Sequence, residues 1–174
     1  MNSFLTPFKE SFIFKIVLAI ILFFYSLFSF AQVEISSDLY KILKSKDSII
    51  FERTFNKCEL EKLEPIIAQD FEFYHDIGGI QDREGFITAV KENICANPGI
   101  NKRKLVKNSL TVFPLKKNNK LYGAIQKGKH KFQQIIDGEM KTVGIADFTH
   151  IWILENEIWK LKRVLSYNHQ PLTE

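Results

Sequence analysis

The sequence predicts an α+β domain in which helices come first and a long antiparallel sheet follows. Three observations carry this. Apolar residues between 37 and 94 recur largely at helical spacing. From 103 onward, apolar and polar residues alternate over long runs, as half-buried strands require. Asp137-Gly138 and Glu155-Asn156-Glu157 interrupt those runs where hairpin turns are needed.

Residues 1–31 stand apart from the fold. Lys9 and Lys15 supply positive charge, Ile16 to Phe28 is an apolar and aromatic run, and Ser29-Phe30-Ala31 places small residues three and one before a cut. This pattern predicts a signal peptide cleaved between Ala31 and Gln32, and a secreted or periplasmic protein. The run is shorter than the roughly 20 apolar residues of a membrane-crossing helix, so no stable membrane anchor is expected. No Cys follows it, which argues against a lipoprotein. One domain, 32–174, remains. The formal charge of +4 falls to +3 when Lys9, Glu10 and Lys15 are removed. Apart from Lys102-Arg103-Lys104 and Lys116-Lys117 the basic residues are scattered, with no dense basic stripe, so no nucleic-acid partner is expected. An exported chain can pair Cys58 with Cys95, but the sequence does not give their separation, and paired and free states both stay open.

The elements follow in order. Leu39, Leu43 and Ile50 predict a helix over 37–56, with Ser36, Ser37 or Asp38 as its cap. Residues 59–69 predict a shorter helix, limited by Pro65. Residues 70–76 alternate, with Phe71, Phe73 and His75 on one side and Glu72, Tyr74 and Asp76 on the other, so a strand is expected before the Gly78-Gly79 turn. Asp82 caps a third helix to about Asn93, with Phe86, Ile87, Val90 and Ile94 as its stripe. Strands are expected over 103–113 and 121–136, and a final hairpin over 144–169. A long twisted sheet of this kind curls over its helices and leaves a cone-shaped cavity.

The four histidines carry the functional argument. His75, His130, His150 and His169 each fall with apolar residues on a predicted strand. A single such ring is most simply a satisfied core residue. Four are harder to absorb, because each imidazole buried without partners costs about 1–3 kcal/mol against a stability of roughly 5–15 kcal/mol. One shared polar cavity is the cheaper arrangement. The expected acid–base set is His75, Asp76, His130, His150 and His169. The expected pocket lining is Phe73, Gln126, Phe148, Trp152 and Tyr167. Two of these have plain structural readings beside the functional one: Asp76 as a turn former and Tyr167 as a half-buried strand tyrosine. Asp147 has the opposite parity from His150 and is expected outside. Arg163 balances an anion or pairs with Glu72 or Asp76. Ser166 lies near His169, but no Gly-x-Ser-x-Gly elbow is present, so a Ser-His-Asp triad is not expected. No local metal-ligand spacing and no glycine-rich phosphate loop appears, so chemistry without a cofactor is expected and any metal site would rest on tertiary contacts.

The segments FNKCELEKLEPIIAQDFEFYHDIGG, GAIQKGKHKF, GIADFTHIW and WKLKRVLSYNHQ, in this order of elements, resemble the nuclear-transport-factor-2-like (NTF2-like) superfamily. The resemblance is nearest to exported bacterial proteins of the DUF4440 and SnoaL-like type. It implies a cone of three N-terminal helices packed on a curved antiparallel sheet. Ketosteroid isomerase, scytalone dehydratase, limonene epoxide hydrolase and polyketide cyclases of this superfamily move protons on small hydrophobic molecules, using Asp, His and Tyr inside the cone. The resemblance therefore implies a small-molecule ligand and gives the same His and Asp candidates, although no enzyme's catalytic set carries over residue by residue. Two rivals stand beside it. One is a non-catalytic ligand-binding or dimerisation module, a homodimer formed through the outer sheet face of Ile145, Ile151 and Ile153. The other is a His-based metal carrier.

Overall fold

The computed structural model describes residues 14–18 and 32–172. The chain divides into two units, Met1–Ala31 and Gln32–Glu174. Residues 14–18 are helical. The remainder of the expected signal peptide, with its cleavage bond, lies outside the described residues.

In the second unit, α1 spans Asp38–Ser48, and the Ser37 hydroxyl accepts the Tyr40 N–H at its start. The helix widens into a π-helical turn over Ile49–Phe55, closed by the Asn56 N–H on the Phe51 carbonyl. Together they bury Tyr40, Leu43, Asp47, Ile50 and Thr54, one stripe at helical spacing. The helix expected over 59–69 does not form. Only Leu60–Lys62 makes a 3₁₀ turn, and β1 begins at Ile67 and runs to His75. Pro65 has no N–H to continue a helical ladder, and the chain is already extended two residues beyond it.

A short strand the sequence reading missed, β2 at Gly79–Asp82, folds back on β1. Asp82 then caps α2, Arg83–Ala89, by accepting the Gly85 N–H at 2.8 Å, and Val90–Ile94 continues it as a π turn. Cys58 and Cys95, just past the two helical segments, form a disulfide with Cα atoms 5.6 Å apart.

The single strand expected over 103–113 is two strands, β3 at Asn101–Leu105 and β4 at Thr111–Lys117. Asn108 turns the chain between them with φ of 61°, a conformation Asn tolerates. Both strands pair antiparallel with β5, Lys120–Ile136. The long hairpin of β6, Glu139–Glu155, and β7, Ile158–Pro171, completes the sheet. Its order is β2-β1-β7-β6-β5-β3, with β4 also on β5. The sheet is antiparallel except at one place. β1 lies parallel to β7, with Phe73 opposite Val164 and His75 opposite Ser166. The expected all-antiparallel sheet is corrected there, and the parallel pair builds the functional site.

Side chains alternate as expected along β5 and β6. Gln126, Gly128 and His130 are buried while Lys127, Lys129 and Lys131 are exposed, and Ala146, Phe148, His150 and Trp152 are buried. Gly128 is required here, because a Cβ would stand 2.6 Å from the Phe148 ring. Strand β7 does not alternate evenly. Its register slips between the pairs Ile151–Arg163 and Trp152–Leu161, and again between Asp147–Tyr167 and Ile145–Gln170. Each slip adds one residue on β7 and reverses which parity faces inward. Trp159 and Leu161 are buried before the first bulge, and Val164 and Ser166 after it. Asn168, at φ 58°, marks the second.

Candidate functional site

A cavity of about 270 Å³ lies between the helices and the inner face of the sheet. Its wall is mostly apolar, with Phe51, Phe55, Phe73, Phe86 and Phe132 among the lining residues. Its polar members are His75, Gln81, Asn93, Arg103 and Ser166. The four histidines do not share it. They separate into two pairs with different surroundings.

The first pair stands at the polar edge of the cavity. The parallel pairing of β1 with β7 sets His75 and Asp76 beside Ser166 and His169. The His169 and His75 rings stack at 4.3 Å. Asp76 Oδ1 is 2.5 Å from His169 Nδ1, and Asp76 Oδ2 accepts the His169 backbone N–H at 3.2 Å. A carboxylate accepts, so Nδ1 carries the proton and Nε2 is the basic nitrogen. That Nε2 lies 3.3 Å from the Ser166 hydroxyl. Ser166, His169 and Asp76 thus form a hydroxyl–imidazole–carboxylate relay. Burial raises the Asp76 pKa, but the hydrogen bonds from the His169 backbone and ring and the charges of His169 and His75 outweigh it, and the net shift is downward. The carboxylate is held ionised.

His75 has a different assignment. Its Nδ1 accepts the backbone N–H groups of Ile77 at 3.1 Å and Gly78 at 2.9 Å. Nε2 therefore carries the proton, and the ring is a neutral donor. Burial lowers its pKa, His169 lowers it further, and Asp76 acts the other way. Ligating atoms of His75, Asp76 and His169 lie within 4.8 Å of one another, the spacing of a possible metal site. The hydrogen bonding fits proton transfer better, since the His75 Nδ1 lone pair is already taken by two backbone donors.

The second pair, His130 and His150, is enclosed in the core behind Phe51 and Arg103. Phe51 lies 4.9 Å from the His130 ring and 5.7 Å from that of His150, and Phe148 stacks on His130 at 4.1 Å. The Gln126 amide orders this cluster. Its Nε2 donates to the Leu43 carbonyl, and its Oε1 accepts from Trp152 Nε1 at 2.8 Å and from His150 Nδ1 at 3.1 Å. His150 Nε2 and both His130 nitrogens have no hydrogen-bond partner among the described residues. Asp47 Oδ1 approaches the two rings at 3.8 and 3.9 Å, beyond hydrogen-bond distance. Burial pushes the Asp47 carboxyl up to about 7, with Arg103 opposing. Burial and then the Arg103 charge hold both imidazoles neutral, well below the usual histidine range.

Several expected site residues therefore stand elsewhere. His130 and His150 are core groups that do not reach the cavity, because Phe51 and Arg103 fill the space between. Gln126, Phe148 and Trp152 are buried with them and do not line it. Tyr167 is on the outer face, at 37% exposure, with its hydroxyl 3.4 Å from Thr149. The first β7 bulge reversed its parity. His75 and Phe73 do line the cavity, while Asp76 and His169 stand behind Ser166. Arg163 pairs with Glu72 at 2.8 Å, one of the partners expected for it, and Asp147 is outside, paired with Lys129.

Two residues, Arg103 and Asp47, were missed, and one expectation is corrected. No Ser-His-Asp arrangement was expected beside His169 for want of an elbow, whereas the β7 bulge turns Ser166 inward and β1 brings Asp76 to His169 without one. Arg103 sits between Lys102 and Lys104, and nothing in that basic triplet says which member faces inward. Asp47 did carry a signal, since Leu43, Asp47, Ile50 and Thr54 fall on one helical stripe.

No protein-family model matches this chain, and no curated protein matches it. Solved structures do. A putative calcium/calmodulin-dependent protein kinase II association domain from Xanthomonas campestris superposes with a TM-score of 0.58 at 14% identity, over 77% of this chain and 89% of that one. An NTF2-like protein from Cytophaga hutchinsonii gives 0.55 at 13% identity, over 75% and 97%. The hexachlorocyclohexane dehydrochlorinase LinA-type3 from Novosphingobium barchaimii gives 0.55 at 15% identity, over 75% and 86%. The chain has the NTF2-like fold: an α+β domain of a strongly paired sheet with helices over its inner face.

Proposed function

We propose that this domain binds a small, largely apolar molecule in the cavity and moves a proton on it at the polar edge, without a cofactor. The observation that carries the reading is the run of contacts from Ser166, in the wall of a mostly apolar chamber, to His169 and Asp76 behind it. His169 is the base, oriented by Asp76. It takes a proton from the Ser166 hydroxyl or from a substrate group lodged against it. His75, with its Nε2 proton, is the donor on the same wall. Among reactions of this type, hydrolysis is the first choice, because a hydroxyl stands next to an oriented base. One structure of the same fold is named a hexachlorocyclohexane dehydrochlorinase, which supports chemistry on a small apolar molecule by a protein of this fold.

The proposal includes export, supported by the residue pattern of 1–31 and by the Cys58–Cys95 disulfide, which suits an oxidising compartment. It also includes kinship with the DUF4440 and SnoaL-like exported proteins. It retains pairing of two copies through the outer face, where Ile145, Ile151 and Ile153 stay only half-buried in one chain. Sedimentation at two concentrations tests that pairing.

Hydrolysis of 4-nitrophenyl acetate and butyrate by the full-length protein tests the chemistry. Turnover is expected to fall at least about a hundredfold in Ser166→Ala. An unchanged rate in a folded Ser166→Ala protein rejects the hydrolytic form of the reading. Wild-type turnover no faster than buffer, with a ligand still held in the cavity, leaves a binding module.

A further inference from the structure

The relay uses the polar edge of the cavity and leaves Arg103, in its wall, without a task. Arg103 is set in place deliberately by the fold. Its backbone N–H donates to Asn56 Oδ1 at 2.8 Å, and Asn56 Nδ2 donates to its carbonyl at 2.9 Å. That clamp ties β3 to the end of the first helical segment. The side chain turns inward and is 6% exposed. Its guanidinium lies over the Phe51 ring, 3.2 Å from the centroid, and the ring face offsets part of the charge.

What the guanidinium lacks is an acceptor. Nη1 has no hydrogen-bond partner among the described residues. Guanidinium groups are normally buried only with a carboxylate or phosphate to fork against, and a buried charge left unpaired costs several kcal/mol. Asp47 is the counter-charge that acts on Arg103, yet no ion pair joins them within 4 Å among the described residues, and burial leaves Asp47 itself partly protonated near neutrality. A cation in the wall of an apolar chamber, with donors to spare, is arranged for a guest that brings the negative charge.

We propose that Arg103 is the anion receptor of this cavity, and that the ligand is a small amphipathic acid: one carboxylate on an apolar body. The inference rests on the reading that the cavity binds a small molecule, and it names that molecule's class. The phenylalanine-rich wall takes the body, and the guanidinium takes the acid group. A volume of about 270 Å³ is just below the range of about 300–1,000 Å³ usual for ligand pockets, which limits the body to a short chain or a single ring. The titratable groups that sense the Arg103 charge are Asp47 from α1, His130 from β5 and His150 from β6. His75, from β1, lines the same cavity. With the imidazoles neutral, an incoming carboxylate opposes one anionic group among these, Asp47. It favours the protonated form of Asp47, so binding takes up a proton and weakens as the pH rises through about 7.

Calorimetric titration of the full-length protein with hexanoate and 4-phenylbutyrate, against hexanamide and 4-phenylbutyramide, tests this. Each acid is expected to bind at least about tenfold more tightly than its amide, the scale of one charge-assisted hydrogen bond. Arg103→Gln should erase that preference and leave amide binding in place. Arg103→Lys, which keeps the charge without the fork, should retain part of it and controls for folding if the Gln variant is unstable. Equal binding of acid and amide by the wild-type protein overturns the anion receptor and leaves the pocket reading standing, as does a preference that survives Arg103→Gln. If the wild-type protein saturably binds none of the four compounds, the pocket reading falls and this inference falls with it.

Discussion

The two histidine pairs have the same composition and opposite circumstances. At the rim, His75 and His169 have hydrogen bonds that fix where each proton sits, and a carboxylate and a hydroxyl within reach. In the core, His130 and His150 share one hydrogen bond between them, that of His150 Nδ1 to Gln126, and face a carboxyl just out of range. Both pairs lie on the inward parity of their strands. The difference comes from what fills the space opposite. The π-helical turn brings Phe51 and, beside it, Arg103 across the core pair, whereas the rim pair faces the cavity edge. Inward orientation is a property of the strand, but access to a ligand is a property of the neighbouring element.

The largest expected effect comes from breaking the rim. His169→Ala should lower ester turnover by about 10²–10⁴-fold, the usual contribution of a positioned base. Its melting temperature should move only a few degrees, since the ring is at the margin of the core. Turnover within a factor of three of wild type would show that the rim is as structural as the core.

The next effect sharpens the core side through pH. The Asp47 pKa is raised from 3.8 to about 7 in the folded protein. Between those values the folded state keeps a proton the unfolded state has lost, so this contribution to stability falls as pH rises through the window and is flat above it. That shift corresponds to at most ~4 kcal/mol. His130 and His150 are lowered below 6.5, so their contribution is full above that value and is lost as the pH falls. Asp47→Asn should therefore raise stability by up to ~4 kcal/mol at pH 8 and by only about 1.6 kcal/mol at pH 5, where the folded carboxyl is neutral and the unfolded one is already ionised. Urea midpoints at the two pH values check it, and equal shifts at both would contradict the assignment. His150→Ala comes third. It should cost about 3 kcal/mol, as deletion of a fully buried ring does, while the folded fraction keeps its ester turnover. A large loss of turnover per folded molecule would erase the distinction between the pairs.

How much of this was legible in the sequence follows the same division. The hairpins were plain, because Asp137-Gly138 and Asn156 adopt the left-handed backbone their turns need. The two capped helices and the inward faces of β5 and β6 followed from uniform spacing. The π widening of each helix, the split of β3 from β4 and the parallel addition of β1 to β7 were not legible, since each depends on a distant partner and not on local preference. The candidate site suffered most from bulges. His75 and Asp76 were found by their neighbours, but Ser166 and Tyr167 exchanged roles because one extra residue at Lys162 reversed the count.

That exchange gives the smallest and cleanest test. Tyr167 was expected in the pocket, yet its ring is on the outer face and its hydroxyl makes one long contact, 3.4 Å to Thr149. Tyr167→Phe should change stability by no more than ~0.5 kcal/mol, as surface substitutions do, and should leave turnover and acid binding at wild-type values. Ser166, one residue earlier, is 6% exposed and lines the cavity. Measured side by side, the neighbouring variants Ser166→Ala and Tyr167→Phe locate the bulge functionally. If the tyrosine variant lost activity and the serine variant did not, the register of β7 against β6 would be one residue away from that described, and the relay through His169 would have no hydroxyl to act on.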